Sequence, residues 1–195
     1  MSYIFVGLGN PGVEYEGTRH NTGRTLLSWF GKSLDAEWKE DKKLKAIVAK
    51  VKVGNSPVTL VLPETFMNNS GKSLKLLVGS IKSAKKLMVI YDDLDLPFGT
   101  AKISFNKSSG GHKGLESIIK AIKTEKFARL RVGISPKIAM RKIKKPSGKN
   151  TVIKHIMGKF KPDELTELKK LSKKVNKTLE IFISFGLEKA MTGFN

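Results

Sequence analysis

The sequence predicts an α/β protein: a single three-layer domain in which a mixed, mostly parallel sheet is flanked by helices. Short apolar runs alternate along the chain with stretches whose apolar residues recur at helical spacing, which is typical of strands followed by helices in a layered protein. Two of the runs are separated by a short Gly-Asn-Ser-Pro turn, which indicates one hairpin. Because 195 residues are enough to bury such a core, we expect one domain over residues 1–195.

The N-terminal half begins with an apolar run over residues 3–6, which predicts a buried first strand that ends at a glycine-rich turn. Apolar residues at helical spacing then predict a helix over 22–34. The further elements predicted in this half are hairpin strands over 45–53 and 58–62, a helix over 73–81 and a strand over 86–91.

The C-terminal half continues the alternation and ends in a long helical region over 162–190. Before it, the segment 136–149 carries several lysines and an arginine but no acidic residue, which is typical of an exposed basic loop. The other elements predicted here are strands over 101–105 and 128–134 and a helix over 115–122.

The charge balance indicates a polyanionic partner. Lys and Arg number 37 against 17 Asp and Glu, which gives a net charge of +20, and a surface of this sign attracts nucleic acid. The competing interpretation is a lysine-rich surface that is simply solvated.

The lack of cysteine excludes disulfides, thiolate catalysis and zinc–thiolate sites. No apolar run reaches the roughly 18 residues of a membrane span. We therefore expect a cytoplasmic protein without a membrane segment.

His20 is the strongest candidate for proton transfer among the three histidines of the chain. It precedes the predicted helix over 22–34, and the positive end of a helix disfavours imidazolium and keeps the ring able to accept a proton. A carboxylate contact would fix its tautomer, and Asp92, at the end of an apolar strand, is the best candidate. The alternatives are that His20 is a capping or surface histidine and that Asp92 is an acceptor in a local turn.

Asn10 and Asn68 also follow predicted strands, as Asp92 does, and sites in such sheets form beyond the carboxyl ends of strands. We therefore expect these three residues to converge, although Asn68 also suits a helix cap. Phe66 and Met67, beside Asn68, suit either a pocket wall or the ordinary core.

The two remaining histidines are expected to be structural. His112 lies in a glycine-rich loop that enters a helix, where we expect it to pack locally. His155 has no convergent polar neighbours in sequence. Because the histidines show no ligand spacing, we expect no metal site.

The turn GLGNPG matches the G-x-G-x-x-G pattern of dinucleotide-binding proteins. That motif requires its third glycine to open a helix and an acidic residue about 20 positions further on. Here the third glycine leads into a loop, and no acidic residue stands at the end of a second predicted strand about 20 positions further on. The glycines are better explained as a tight turn beneath a site.

Several separated motifs, in the same order, make this chain resemble the bacterial-type peptidyl-tRNA hydrolases over essentially its full length. They are GLGNPGVEYEGTRHNTG at 7–23, PETFMNNSGKS at 63–73, YDDLDLPFGTAK at 91–102, GGHKGLESI at 110–118 and FARLRVGI at 127–134. The resemblance implies hydrolysis of the ester that joins a peptide to the 3′-terminal ribose of tRNA. It also implies peptidyl-tRNA as partner and no metal or cofactor, and we expect a monomer.

The same resemblance implies a role for each motif residue. His20 would be the general base, Asp92 would orient it, and Asn10 would distinguish N-blocked substrates from free aminoacyl-tRNA. Asn68 would hold the substrate and stabilise the oxyanion. The residues implied to line the same cleft are Tyr15, Phe66 and Met67.

The chain departs from the family pattern at two positions. Lys113 stands where the family usually has Asn, and Lys can only donate hydrogen bonds and carries a charge. Arg131 fits one member of the family's basic pair for the tRNA 5′-phosphate, but the other position is occupied by Ser104. Either Lys102 or Lys107 is then expected to substitute for it.

Two other functions stay open at this point. A non-catalytic RNA-binding member of the same fold, like the related plant organelle splicing factors, would explain the charge and Lys113. A nucleotide-dependent enzyme would use GLGNPG as its phosphate loop.

Overall fold

The structure is a computed structural model that describes residues 2–139 and 142–195. Its strands, in chain order within that part, are β1 (Tyr3–Gly7), β2 (Lys39–Asp41), β3 (Ala46–Val53), β4 (Ser56–Pro63), β5 (Leu87–Pro97), β6 (Ala101–Phe105), β7 (Ala128–Ser135), β8 (Lys137–Ala139) and β9 (Lys142–Ile143). Its α-helices are α1 (Thr22–Ser33), α2 (Ile81–Ala84), α3 (Lys113–Ile122), α4 (Lys149–Met157) and α5 (Pro162–Phe194).

Seven strands form one mixed sheet in the order β2-β3-β4-β1-β5-β7-β6. The four central strands, β4, β1, β5 and β7, run parallel to one another. The hairpin of β3 and β4 was expected from the sequence, and with β2 and β6 it supplies the antiparallel pairings at the two sides of the sheet. Strands that carry helices between them and run parallel at the centre confirm the α/β class.

The two faces of the sheet are covered by different helices, because successive side chains of a strand point to opposite faces. Phe5 of β1 packs on one face in a cluster with Phe30 of α1 and Phe182 of α5. Its neighbour Val6 packs on the other face in a cluster with Leu115 of α3. These two apolar layers around the sheet confirm the predicted three-layer arrangement.

The start of α1 lies directly on β5. A side chain at Gly23 would place its Cβ only 2.0 Å from the carbonyl oxygen of Ile90, so only glycine permits this approach. Leu8 N also donates to the Ile90 oxygen at 3.0 Å. The close contact holds the residues before α1 against the strand that carries Asp92.

The predicted helix over 73–81 is wrong. The chain instead forms a 3₁₀ helix over Met67–Ser73 and the short helix α2. Gly71 lies so close to α3 that a Cβ there would be 2.1 Å from the Ser117 carbonyl oxygen. Ser80 starts α2 with a capping box, which divides the apolar periodicity into two short helical pieces.

Several element boundaries also differ from the expected ones. The strand predicted over 86–91 continues to Pro97 as β5, and β2 and α4 had no predicted counterpart. The basic segment 136–149 contains the two-stranded hairpin of β8 and β9, while Met140 and Arg141 in its middle lie outside the described residues.

Helix α5 is longer than expected and breaks at Gly186, whose φ of 82° is accessible to glycine. Beyond the break, the Asn195 side chain accepts from Ile103 N at 2.7 Å and donates to Ile103 O at 3.0 Å. On the open side of the edge strand β6, the backbone N–H and C=O of Ile103 are thereby hydrogen-bonded to a side chain instead of to another strand. Among the described helices, none is both long and apolar enough to cross a membrane.

Candidate active site

Asp92 lies inside β5 rather than at the end of a strand as expected. Strand β1 ends beside Ile90, so Asp92 stands on the part of β5 that extends past the carboxyl end of its neighbour. Its side chain is 3% exposed. A buried carboxylate requires hydrogen-bond donors around it, and two histidines provide them.

His20 belongs to the 3₁₀ turn Arg19–Asn21 that precedes α1. Its Nδ1 atom lies 3.0 Å from each carboxylate oxygen of Asp92, and its side chain is 12% exposed. Because the carboxylate can only accept, Nδ1 must carry the proton, which leaves a free lone pair on Nε2. The structure therefore brings the expected base and its orienting carboxylate together.

The pKa of His20 lies above the ordinary histidine value of 6.5. Burial alone would lower it, but the charge of Asp92 and the hydrogen bond to it outweigh burial. The expected proximity of a helix start therefore does not by itself lower the pKa of His20, because the carboxylate of Asp92 raises it more than burial lowers it. Asp92 shows the reciprocal effect, because the attraction of His20 and the hydrogen bonds from both histidines outweigh burial and hold its pKa well below the usual range.

His112 belongs to the same cluster, although we expected it only to pack locally. Its Nε2 lies 3.2 Å from Asp92 Oδ1, and its ring centroid lies 5.2 Å from that of His20. It also caps α3, because its Nδ1 accepts from Leu115 N at 3.4 Å. An accepting Nδ1 implies a protonated Nε2, so His112 acts as a second donor to Asp92.

The same three residues are the set best suited to hold a metal ion within the described chain, with ligand atoms within 4.8 Å of one another. The histidines lack ligand spacing along the sequence, and it is the fold that brings them together. The hydrogen bonds nevertheless account for the arrangement. Both nitrogens that face Asp92 are used as N–H donors, and the Leu115 N–H fixes the tautomer of His112.

Asn10 is held with its amide group in a defined orientation. Its backbone N donates to Asn21 Oδ1 at 2.8 Å, and its carbonyl accepts from Asn21 Nδ2 at 2.9 Å. Its own Oδ1 accepts from Met67 N at 2.8 Å. The Nδ2 group, which has no partner among the described residues, is therefore left free to donate to a substrate oxygen.

Of the apolar candidates, Met67 contacts Asn10, while Phe66 and Tyr15 contact each other. Met67 is buried and contacts Asn10 through its backbone N. Phe66 is 58% exposed, and its ring stands edge-on to that of Tyr15 with centroids 6.3 Å apart. Asn68 is exposed, and its side-chain oxygen accepts a long hydrogen bond from Asn69 Nδ2 at 3.5 Å. The structure thus gives no hydrogen bond between Asn68 and the His20 cluster.

A cavity of about 360 Å³ extends from the histidines into a basic region. Arg131 and Lys107 line it together with Ser104, whereas Lys102 does not. Arg131 donates to Asp93 at 2.8 Å. Lys113 lies at the cavity rim and points its amine to Glu116, 2.9 Å away.

Arg129, which the sequence did not single out, lies fully buried beneath the Ser/Gly loop of this cavity. Its Nη1 donates to Ser108 O at 3.0 Å, and its guanidinium lies 4.6 Å from the Phe127 ring centroid. The loop that leads to His112 is therefore fastened from below. The one feature that could have indicated this contact is the pairing of Arg129 on β7 with Ser104 on β6, just before the loop.

His155, expected to be structural, faces the carbonyl of Ile134, with 2.9 Å between Nε2 and O. It takes no part in the cluster around Asp92.

A buried carboxylate that orients an imidazole beyond the carboxyl end of β1, beside a basic cavity, is suited to general-base hydrolysis of a polyanionic substrate. A family model described as Peptidyl-tRNA hydrolase matches residues 4–195. The chain belongs to the peptidyl-tRNA hydrolase family.

Relatives agree with this assignment along nearly the whole chain. The chain is 40% identical over 189 residues to the peptidyl-tRNA hydrolase of Aquifex aeolicus, covering 96% of this chain and 93% of the relative. It is 40% identical over 195 residues to that of Herpetosiphon aurantiacus, covering 99% and 90%. The crystal structure of peptidyl-tRNA hydrolase from Acinetobacter baumannii superposes with a TM-score of 0.86 at 29% identity, covering 98% of this chain and 93% of that one.

Proposed function

We propose that this chain hydrolyses the ester bond between a peptide and the 3′-terminal ribose of tRNA, with His20 as the general base. The observation that carries this proposal is the pair of 3.0 Å contacts between His20 Nδ1 and the buried carboxylate of Asp92. Membership of the peptidyl-tRNA hydrolase family supplies the substrate.

The reaction follows from the free lone pair on His20 Nε2. Nε2 takes a proton from a water molecule as its oxygen attacks the ester carbonyl, and Asp92 stabilises the imidazolium that forms. The tetrahedral intermediate then collapses, and the 3′ oxygen of the ribose leaves with the proton that Nε2 returns. General-base assistance of this kind contributes about 10²–10⁴-fold. The steps use only water and imidazole, so we propose that they need no metal ion or cofactor.

Asn10 and Asn68 are proposed to hold the acyl group. The free Nδ2 of Asn10 can donate to the carbonyl of an N-acyl group, which a free aminoacyl-tRNA lacks. Asn68 is exposed and able to turn toward the carbonyl under attack, and one donor to an oxyanion contributes about 10²–10³-fold. Tyr15, Phe66 and Met67 would supply the apolar wall for the peptide.

Arg131 and Lys107 are proposed to bind the 5′-phosphate of the tRNA. Both line the same cavity, whereas Lys102 does not. Lys107 has no ion-pair partner within the described part of the chain, so its charge is available to a phosphate. Lys107 is therefore our choice for the phosphate-binding role that Ser104 cannot fill. We further propose that the protein acts as a monomer in the cytoplasm.

Lys113 is the observation that favours a second candidate function, in which the chain binds RNA with the same fold but without catalysis. Its amine is engaged with Glu116, so it cannot replace the amide chemistry of the family's usual Asn. Such a protein would bind tRNA tightly and release no product.

The test is release of N-acetyl-amino acid from N-acetyl-aminoacyl-tRNA by the unaltered chain and by His20→Ala. We expect His20→Ala to lose about 10²–10⁴-fold in kcat because the proposed general base is removed, and both ring nitrogens of the neighbouring His112 are already engaged. The matched control is His155→Gln, which alters a histidine outside the cluster. Equal rates for His20→Ala and the unaltered chain would remove His20 from the mechanism. Tight tRNA binding without turnover would favour the RNA-binding alternative.

A further inference from the structure

The residues immediately before His20 are fastened to the junction between α4 and α5. Residues 17–19 run beside residues 158–160 and are joined to them through the backbone. These contacts are the antiparallel bridge between Thr18 and Lys159, the bond from Arg19 N to Gly158 O at 3.0 Å and the bond from Phe160 N to Gly17 O at 2.9 Å. The turn that carries His20 is therefore continuous with the C-terminal helical region.

The Arg19 side chain completes this attachment. Its Nη2 donates to both carboxylate oxygens of Glu164, at 2.9 and 2.8 Å, while its Nη1 donates to the carbonyls of Gly158 and Lys159 at 3.2 and 3.1 Å. Glu164 in turn accepts from Lys161 N at 2.7 Å. The two charged side chains are only 13% and 23% exposed, so this pair is far more restrained than an ordinary surface salt bridge.

The attachment bears on the geometry of the base. Asp92 is fixed by its strand, whereas the ring of His20 is positioned by the turn Arg19–Asn21. A small rotation of that turn would break the 3.0 Å contacts with Asp92. Displacements of about 1 Å at a reacting group can cost as much as about 10²-fold in rate.

The junction also presents positive charge to solvent. Lys154, Lys159 and Lys161 are exposed, and none of them has an ion-pair partner in the described part of the chain. Three unpaired lysines within eight positions attract the phosphates of an RNA backbone. The junction is thus suited to RNA, and it is the same junction that holds the Arg19 side chain.

We propose that the junction is an RNA-responsive surface that positions His20. Phosphates that bind to Lys154, Lys159 and Lys161 would stabilise the junction. The pair of Arg19 and Glu164 would then hold the turn that carries His20 more firmly in place. Arg19 is then a positioning residue, and part of the binding energy of the tRNA body raises kcat instead of lowering KM. This inference rests on the proposed function.

The experiment compares two substrates with the same N-acetyl-aminoacyl ester, one on full-length tRNA and one on a CCA trinucleotide. The variant is Glu164→Gln, and the matched control is Glu167→Gln. Glu167 lies on the same helix but pairs with Lys137, at 3.6 Å, so the control makes the same change of charge without touching Arg19.

We expect the unaltered chain to have a higher kcat on tRNA than on the trinucleotide. Glu164→Gln should lower kcat on tRNA about tenfold, within the range known for misplaced catalytic groups. Its KM on tRNA should change less than about twofold, and its kcat on the trinucleotide should fall by clearly less than its kcat on tRNA. Glu167→Gln should leave kcat and KM unchanged on both substrates. Arg19→Lys keeps the positive charge but cannot donate to both oxygens of Glu164 in the bidentate geometry of a guanidinium. It should therefore lower kcat on tRNA as Glu164→Gln does.

If Glu164→Gln lowers kcat equally on both substrates, Glu164 has only a structural role and the inference is overturned. A change in KM without a change in kcat would overturn it as well. If Glu164→Gln does not fold, the exposed pair K159Q/K161Q gives the same comparison and should lower kcat on tRNA only. Absence of activity of the unaltered chain on both substrates would instead refute the proposed function.

Discussion

The cluster around Asp92 and the lysine-rich face of α5 represent opposite ways of handling charge. At Asp92 one buried carboxylate is held between two imidazoles at 3.0 and 3.2 Å. On α5, Lys170, Lys173 and Lys177 form an exposed row without ion-pair partners in the described part of the chain. The function of the Asp92 cluster depends on the positions of individual atoms, whereas the effect of the lysine row depends only on its total positive charge. Substitutions in the cluster should therefore change the chemistry, and those in the row should change only binding.

The largest effect is expected from Asp92→Asn. Asn keeps the shape but removes the charge that stabilises imidazolium, and its amide no longer fixes the proton on Nδ1. We expect kcat to fall about 10²–10⁴-fold. Because the charge of Asp92 is what raises the pKa of His20, the pH midpoint of the residual activity should also move down.

The control for this change is Asp95→Asn on the same strand. Asp95 pairs with Lys145 at an exposed position, so its loss should leave kcat within about twofold, as is usual for surface ion pairs. A comparable loss of kcat in both variants would mean that β5, and not the carboxylate of Asp92, was damaged.

A smaller and more diagnostic effect is expected from His112→Ala. In the unaltered chain the rate should rise with pH and reach half its plateau above pH 6.5, since Nε2 must be unprotonated and the pKa of His20 is raised. Loss of the N–H donor from His112 leaves the charge of Asp92 less compensated, so imidazolium at His20 becomes more stable. The midpoint should move up by at most about one pH unit, because a hydrogen bond to a charged group is worth about 1.5 kcal/mol and only the part that changes when His20 is protonated enters its pKa.

His112→Gln retains an N–H donor, so its pH midpoint should lie close to that of the unaltered chain. The measurement is kcat against pH for the three proteins. A downward shift in His112→Ala, or none, would show that His112 only caps α3.

The smallest effect is expected from neutralising the row on α5. Helix α5 begins beside the turn of His20, and Lys173 lies about 17 Å along it from Pro162. Replacing Lys170, Lys173 and Lys177 by Gln should reduce the salt dependence of tRNA binding by about one unit of slope for each phosphate that is no longer neutralised. The turnover number at saturating substrate should stay the same. A fall in kcat would erase the distinction between the two regions.

The parts of the site that the sequence predicted are those that depend on local pattern. The strand before Asn10, the helix after His20 and the apolar run before Asp92 are each visible in a window of a few residues. Their position at the edge of a parallel sheet then follows from a general rule of α/β topology. Family motifs added the roles of these residues.

The parts that the sequence missed depend on contacts between distant segments. His112 reaches Asp92 because α3 begins across the cavity from β5, and nothing in its glycine-rich loop encodes that distance. The helix expected over 73–81 fails because Gly71 must pass close to Ser117. The helix after His20 is a local feature and suggests a lowered pKa, whereas the contact with Asp92, 72 positions away, raises the pKa of His20 against the effect of burial.

The amide of Asn195 has a practical consequence for handling the protein. It occupies the backbone groups of Ile103 on an edge strand, and an unoccupied edge invites other chains to add to the sheet. Replacing Asn195 by a residue without an amide would leave these backbone groups of Ile103 open to another chain. Preparations of such a variant should therefore aggregate more readily at high concentration.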